Sequence, residues 1–226
     1  MAEFDQFALN YDDALNVGLA ATGESKEFFA CRRVEWLRAR LDELRIRPRS
    51  VMDFGCGPGS TSAILRELLA AERVFGVDVS NDLLSVARRQ HPDPGIAFLT
   101  PDAWPRGLEV DLAYCNGVFH HIEPVDRPES LRFIRSALRP GGIFALWENN
   151  PWNPGTRLVM NRIPFDRDAQ LMTSGRAVEL LRKEGFNPLR VDYAFIFPHA
   201  LRALRSLEPL LSAWPIGGQY EVLTRR

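Results

Sequence analysis

Three glycines and two acids are the residues of this chain whose types and spacing most directly suggest chemistry. Gly55, Gly57 and Gly59 alternate with other residues directly behind the apolar run 50–54. Glycine there lets the backbone take positive φ and approach a ligand more closely than a Cβ allows. Asp53 stands two residues before the first glycine, and Asp78 closes the next apolar run, 74–79. The dinucleotide fingerprint G-x-G-x-x-G would need a glycine at position 60, where the chain has Ser60. Asp53 would repel a pyrophosphate, but it can pair with an ammonium group. Asp78 lies at about the separation from the loop at which a carboxylate takes a ribose hydroxyl.

A second group is His120, His121 and Glu148, which follow the apolar runs 110–115 and 143–147. Ligands of open α/β sheets sit outside the carboxyl ends of the strands, where all three would emerge. A carboxylate beside an imidazole orients the ring and stabilises its cation. The expectation is that His121, paired with Glu148, deprotonates a hydroxyl acceptor, while His120 is satisfied by a backbone carbonyl. The competing expectation is that alignment alone suffices and no base acts.

The elements that must position these residues alternate. Strands are expected at 50–54, 74–79, 96–99, 110–115, 143–147, 189–197 and 219–225. Amphipathic helices are expected at 25–44, from Ser60 or Thr61 onward, at 81–90, at 128–138 and at 174–185. Apolar strands interleaved with such helices imply a parallel sheet covered on both faces. Residues 4–15 also carry a helical apolar pattern. A single domain spanning 1–226 is therefore expected, with 1–47 as a helical cap. Residues 149–173 and 198–218 fall outside the alternation and read as substrate-side insertions, a sheet cover or a dimer contact. Trp147, Trp152, Phe165, Phe195 and Trp214 suggest an apolar pocket, and Arg157, Arg162, Arg202 and Arg205 suit a carboxylate or phosphate.

Composition narrows the classes. The 226 residues are 46% hydrophobic and 25% charged with a net charge of −1, so there is no basic surplus to neutralise a nucleic-acid backbone. Cys31, Cys56 and Cys115 form no C-x-x-C pair, so neither a metal nor a disulfide is expected, and a cytoplasmic setting is the default. Residues 1–10 include Glu3 and Asp5 and lack signal-peptide character, and no apolar run has the length of a membrane span.

A ligand with an adenosine ribose and a cationic amino-acid tail satisfies both Asp53 and Asp78; S-adenosyl-L-methionine is such a ligand. At this point the sequence resembles the class I S-adenosylmethionine-dependent methyltransferases. Asp53, Gly55, Gly57 and Gly59 match the family's D-x-G-x-G-x-G motif, and residues 76–80 its ribose-binding second strand. Residues 100–103 resemble its adenine-contacting turn, 116–122 its fourth-strand exit and 138–142 its turn before strand five. The likeness is strong over residues 50–148 and elsewhere rests on element order. It implies an α/β, Rossmann-like seven-stranded sheet of order 3-2-1-4-5-7-6 with strand seven antiparallel and helices on both faces. It also implies a cofactor site of Tyr11, Asp53, Gly55, Cys56, Gly57, Asp78, Val79, Asp102, Ala103 and Asn116. The expected function is methylation of a small molecule, on oxygen in preference to nitrogen or carbon. The alternatives are an NAD(P)-dependent oxidoreductase and a cofactor-binding module without catalysis.

Overall fold

The computed structural model describes residues 15, 17–163, 166 and 169–226. The strands are β1 (Ser50–Phe54), β2 (Arg73–Val77), β3 (Ile96–Leu99), β4 (Val110–Asn116), β5 (Leu138–Asn149), β6 (Asn187–Ala194) and β7 (Gln219–Arg225). They form one sheet of order β3-β2-β1-β4-β5-β7-β6. β1 to β5 pair in parallel, and β7 lies antiparallel between β5 and β6. The helices are α1 (Lys26–Glu43), α2 (Ser60–Leu68), α3 (Asn81–Gln90), α4 (Arg127–Ala137), α5 (Pro154–Met160), α6 (Ser174–Lys183) and α7 (Glu208–Leu211).

Side chains alternate across each strand, so neighbouring residues feed two cores. Met52, Ala113, Phe144 and Val222 join Leu131 of α4 and Leu181 of α6 on one face. Val51, Leu112, Ile143 and Leu223 join Leu37 and Leu41 of α1 and Leu65 of α2 on the other. Burial on both faces explains why the strands read as nearly continuous apolar runs.

The expected elements form, with local differences. Ser25 caps α1 by accepting from Phe28 N–H at 3.2 Å. Neither Ser60 nor Thr61 caps α2; Gly59, at φ +84°, occupies the cap position without a side-chain bond. β5 begins at Leu138, through the turn expected to precede it: Leu138 pairs with Val110 of β4 across a register shift, and Gly141 N–H donates to Arg226 O and Arg226 N–H to Gly142 O. β6 stops at Ala194 because Phe195 turns to φ +61°, a conformation costly for an aromatic residue. Both insertions contain helix: 149–173 includes α5, capped by Asn153, and 198–218 includes a 3-10 helix, His199–Leu207, followed by α7. The helix expected at 4–15 lies outside the described residues except for Leu15, which is helical, as are residues 17–19. No helix among the described residues is long and apolar enough to cross a membrane.

Candidate active site

The glycine loop leaves β1 between the exits of β2 and β4. Gly55 and Cys56 donate their N–H groups to Val77 O, tying the loop to β2. All three glycines have positive φ, but their surroundings differ. A Cβ on Gly55 would lie 2.2 Å from Val118 Cγ2, and one on Gly59 would lie 2.7 Å from the Phe98 ring. A Cβ on Gly57 would meet nothing within 4 Å, so Gly57 faces open space. Asp78 braces this point: its Oδ2 accepts from Gly57 N–H at 2.8 Å and its Oδ1 from Ser80 N–H at 2.9 Å. Val79 beside it is 65% exposed, which leaves an apolar surface at the rim. Asp102 and Ala103 are exposed on a 3-10 turn after β3, at the same sheet edge.

Asp53 differs from its expected place. It is 2% exposed, lies beneath the loop, and accepts from Ser62 Oγ at 2.7 Å. Burial pushes its carboxyl up to about 7; the Ser62 bond and Arg33 oppose this, and the charge of Asp78 adds to it. Cys56 is buried against Phe98, Leu84 and Ala87, and its thiol is raised well above the ordinary range by burial and by Asp53 and Asp78. Asn116, at the end of β4, has a buried Oδ1 without a hydrogen-bond partner. Tyr11 lies outside the described residues.

The expected pairing of His121 with Glu148 does not occur. Glu148 is fully buried and takes His120, with Nδ1 to Oε2 at 2.6 Å, while its Oε1 accepts from Phe119 N–H at 2.8 Å. His121 instead meets Asp166, with Nε2 to Oδ1 at 3.2 Å, and His120 Nε2 lies 3.7 Å from the same oxygen. The two rings pack with centroids 4.1 Å apart, so both adjacent histidines reach one wall. The chain does not alternate here: Gly117, at φ +68°, turns it out of the sheet, and His121 N–H bonds back to Val118 O. His120 is not satisfied by a backbone carbonyl; its two nitrogens face two carboxylates. Burial lowers its basicity, but the charge of Glu148 and the bonds to Asp166 and Glu148 prevail and raise its pKa to about 10. Asp166 is held below the usual carboxylate range by both histidines, against the opposing effect of its own burial.

These groups border a cavity of about 380 Å³ at the carboxyl edge of β4 and β5. Its apolar wall includes Phe28 and Phe29 of α1, Met160, Ile163 and Phe195. Of the five aromatic residues expected to form a pocket, only Phe195 lines it among the described residues. Trp147 is buried within the sheet, Trp152 and Trp214 are 71% and 63% exposed, and Phe165 lies outside the described residues. Of the four arginines, Arg205 lines the cavity, paired with Glu24 at 2.7 Å. Lys26, Arg32 and Arg33 of α1 also line it.

Arg33 and Asp166 were missed from the sequence. Arg33 left a signal, since it lies on the buried stripe Ala30, Val34, Leu37 and Leu41 of α1, where a charge needs a partner. Its Nη1 donates to Gln219 at 3.0 Å, its guanidinium also interacts with the Tyr114 hydroxyl, and its buried Nε has no hydrogen-bond partner among the described residues. Asp166 left none. It comes from an insertion, joined to the histidines by Gln170 N–H donating to His120 O at 2.8 Å.

Comparison with known proteins agrees with this geometry. A family described as a methyltransferase domain matches residues 51–142. An S-adenosylmethionine-dependent methyltransferase structure from Mesorhizobium loti superposes with a TM-score of 0.59 and 25% identity, over 85% of this chain and 98% of that one. The chain carries a methyltransferase domain and is similar in sequence and fold to S-adenosylmethionine-dependent methyltransferases. These similarities imply S-adenosyl-L-methionine as the cofactor and tell against the nicotinamide alternative. Relatives named trans-aconitate 2-methyltransferase are 31% identical over 67% of this chain and 56% of the protein from Azoarcus sp. (strain BH72), and 28% identical over 62% and 55% for Rhodopseudomonas palustris (strain BisB5). The chain thus spans about half the length of the curated relatives it matches. The local geometry suits the methyltransferase cofactor: open space in front of Gly57, and two buried polar atoms, Asn116 Oδ1 and Arg33 Nε, that lack partners.

Proposed function

We propose that the protein transfers a methyl group to an oxygen of a small carboxylic acid held in the cavity behind α1. The carrying observation is the make-up of that cavity: Lys26 and Arg32 on the α1 wall, aromatic rings beside them, and the His120–His121–Asp166 cluster at the β4 exit. The cations suit a carboxylate and the rings suit an apolar body. The acceptor named for the relatives is itself a carboxylic acid.

When bound, S-adenosylmethionine supplies an electrophilic methyl on a sulfonium centre. Gly55, Cys56 and Gly57 form its backbone cradle, and Asp78 takes the ribose hydroxyls. Val79 packs on the adenine, while Asp102 and Ala103 meet its polar edge. Asn116 Oδ1 receives the ammonium group, and Arg33 Nε takes the carboxylate. Asp53 acts from beneath, fixing the first turn of α2 through Ser62. Tyr11 is assigned to close over the cofactor.

A carboxylate acceptor is ionised at neutral pH, so no proton must leave and no general base is needed. The bound cofactor would supply the methyl group and retain the C–S electron pair on sulfur, and the cavity residues would hold the acceptor oxygen toward it. The protein's contribution is alignment, which supports large rate gains when the reacting atoms are held in contact. His121 and His120 hold the acceptor end, and Glu148 positions His120.

The test is a screen of small carboxylic acids, alcohols and amines, trans-aconitate included, read by S-adenosylhomocysteine release and product mass. The expected product is a methyl ester cleaved by hydroxylamine. Turnover of amines alone would sink the oxygen reading. Cofactor binding without turnover of any acceptor would leave the non-catalytic alternative standing.

A further inference from the structure

The cluster at the cavity floor has a composition that acceptor binding alone does not require. His120, His121 and Asp166 each present one ligand atom, and the three atoms lie within 4.8 Å of one another. Two of the separations are 3.2 and 3.7 Å, from Asp166 Oδ1 to His121 Nε2 and to His120 Nε2. Donors bound to one tetrahedral ion at ordinary Zn–N and Zn–O lengths would stand about 3.4 Å apart, close to both of these separations. His120 is aimed from behind, since Glu148 binds its Nδ1 at 2.6 Å and is itself fixed by Phe119 N–H. A carboxylate on the far nitrogen of a ligating imidazole is the usual support of a metal-bound histidine. The remaining coordination positions face the cavity, because all three residues line it.

We propose that His120, His121 and Asp166 bind a divalent transition-metal ion, with Zn²⁺ as the best match, and that the ion holds one carboxylate of the acceptor in the cavity. Two imidazole nitrogens and one carboxylate oxygen make a borderline-soft donor set that favours such ions over Mg²⁺ or Ca²⁺. Three protein ligands with an open position is the pattern of a catalytic site; a structural site would be closed by a fourth. An acceptor carboxylate bound through one oxygen keeps its second oxygen available to the methyl group. The ion's role toward the acceptor rests on the carboxylic-acid reading above. The site itself does not.

The test uses the full chain without an affinity tag, stripped with a chelator and titrated with Co²⁺ while visible ligand-field bands are recorded, then with Zn²⁺ by calorimetry. One equivalent of Co²⁺ should give such bands, and Zn²⁺ should displace it. Asp166→Asn and His121→Asn should each weaken binding by at least about tenfold, and Glu148→Gln by about 10–100-fold. S-adenosylhomocysteine affinity and circular dichroism serve as the check of folding, and Asp166→Asn, whose side chain lies outside the sheet, decides the matter if a histidine variant fails to fold. Absence of the bands, a thiolate charge-transfer band, or undiminished binding in Asp166→Asn would overturn the proposal. If the ion binds as described while no carboxylic acid is methylated, the functional reading fails and the site stands. If stripped protein binds no ion and still esterifies an acid at full rate, the site fails and the functional reading stands.

Discussion

The two halves of the candidate site are built on different principles. On the cofactor side, Asp53, the glycine loop, Asp78 and Asp102 lie within about fifty consecutive residues, on the exits of adjacent parallel strands. Most of the work there is done by backbone, whose position follows from the sheet register. The acceptor side draws on Lys26 and Arg32 of α1, the histidines after β4, Glu148 of β5, Asp166 from an insertion and Phe195 after β6. Its polar geometry is made of side chains brought together over long sequence separations. A site of the first kind is fixed by a short motif, and one of the second kind by packing.

The sharpest way to break this contrast is at the glycines. Gly57→Val should reduce S-adenosylhomocysteine affinity by more than about 100-fold in calorimetry, with a folding cost of only about 1–2 kcal/mol for the positive φ, because its Cβ enters open space. Gly55→Val should instead lower thermal stability severely, since Val118 occupies the place of the new side chain. Equal behaviour of the two variants would mean that the loop is a turn and not a cradle.

The next largest effect belongs to the acceptor side. His121→Ala should lower kcat by about two decades through lost alignment while cofactor affinity changes by less than about twofold. A parallel loss of cofactor affinity would show that the two halves are not separable. Asp78→Ala should weaken cofactor binding by about 10–100-fold, as loss of a charge-assisted hydrogen bond predicts, and should also loosen Gly57. Unchanged affinity would remove Asp78 from the site.

The smallest effect on either half is expected from Glu221→Gln, which should leave binding and turnover unchanged and alter stability alone. Glu221 is 1% exposed on β7 opposite Trp147 and Asp192, and burial first, then Asp192, pushes its pKa up to about 8 from 4.5, against Arg40 and Trp147. The folded protein therefore holds a proton that the unfolded chain releases, and stability present below pH 4.5 is lost as pH rises through about 8. Asp53, at about 7, acts in the same sense. Urea unfolding across this range should show a flatter pH slope for the variant and, at about pH 9, a gain of a few kcal/mol. An unchanged slope would mean that Glu221 finds a compensating charge in the native state.

The strands and their parallel sheet were legible because the strands are apolar on both faces and the glycine and proline punctuation falls between them; the strand order, with β7 antiparallel, came from the resemblance to a family. The cap of α2 was misread because a positive-φ glycine closes that helix in place of a hydroxyl. The start of β5 was misread because its partners are distant in sequence: Leu138 pairs with Val110, and Gly142 O accepts from Arg226 N–H, 84 residues away. Among the aromatics, the residue type gave the apolar character but not which side of the sheet or the surface it would face.

By itself the sequence determined the framework of the proposed cofactor half: the glycine loop and the acid after β2 are local patterns, and local backbone geometry carries them into space with little freedom. Only the tertiary structure decided that Glu148 holds His120 and that Asp166 faces both histidines. The physical reason is the turn at Gly117. Once the chain leaves the strand, the period-two rule that assigns side chains to faces no longer applies, and two adjacent imidazoles can reach one wall. Their partners were then chosen by which buried carboxylates packing brought within hydrogen-bond reach.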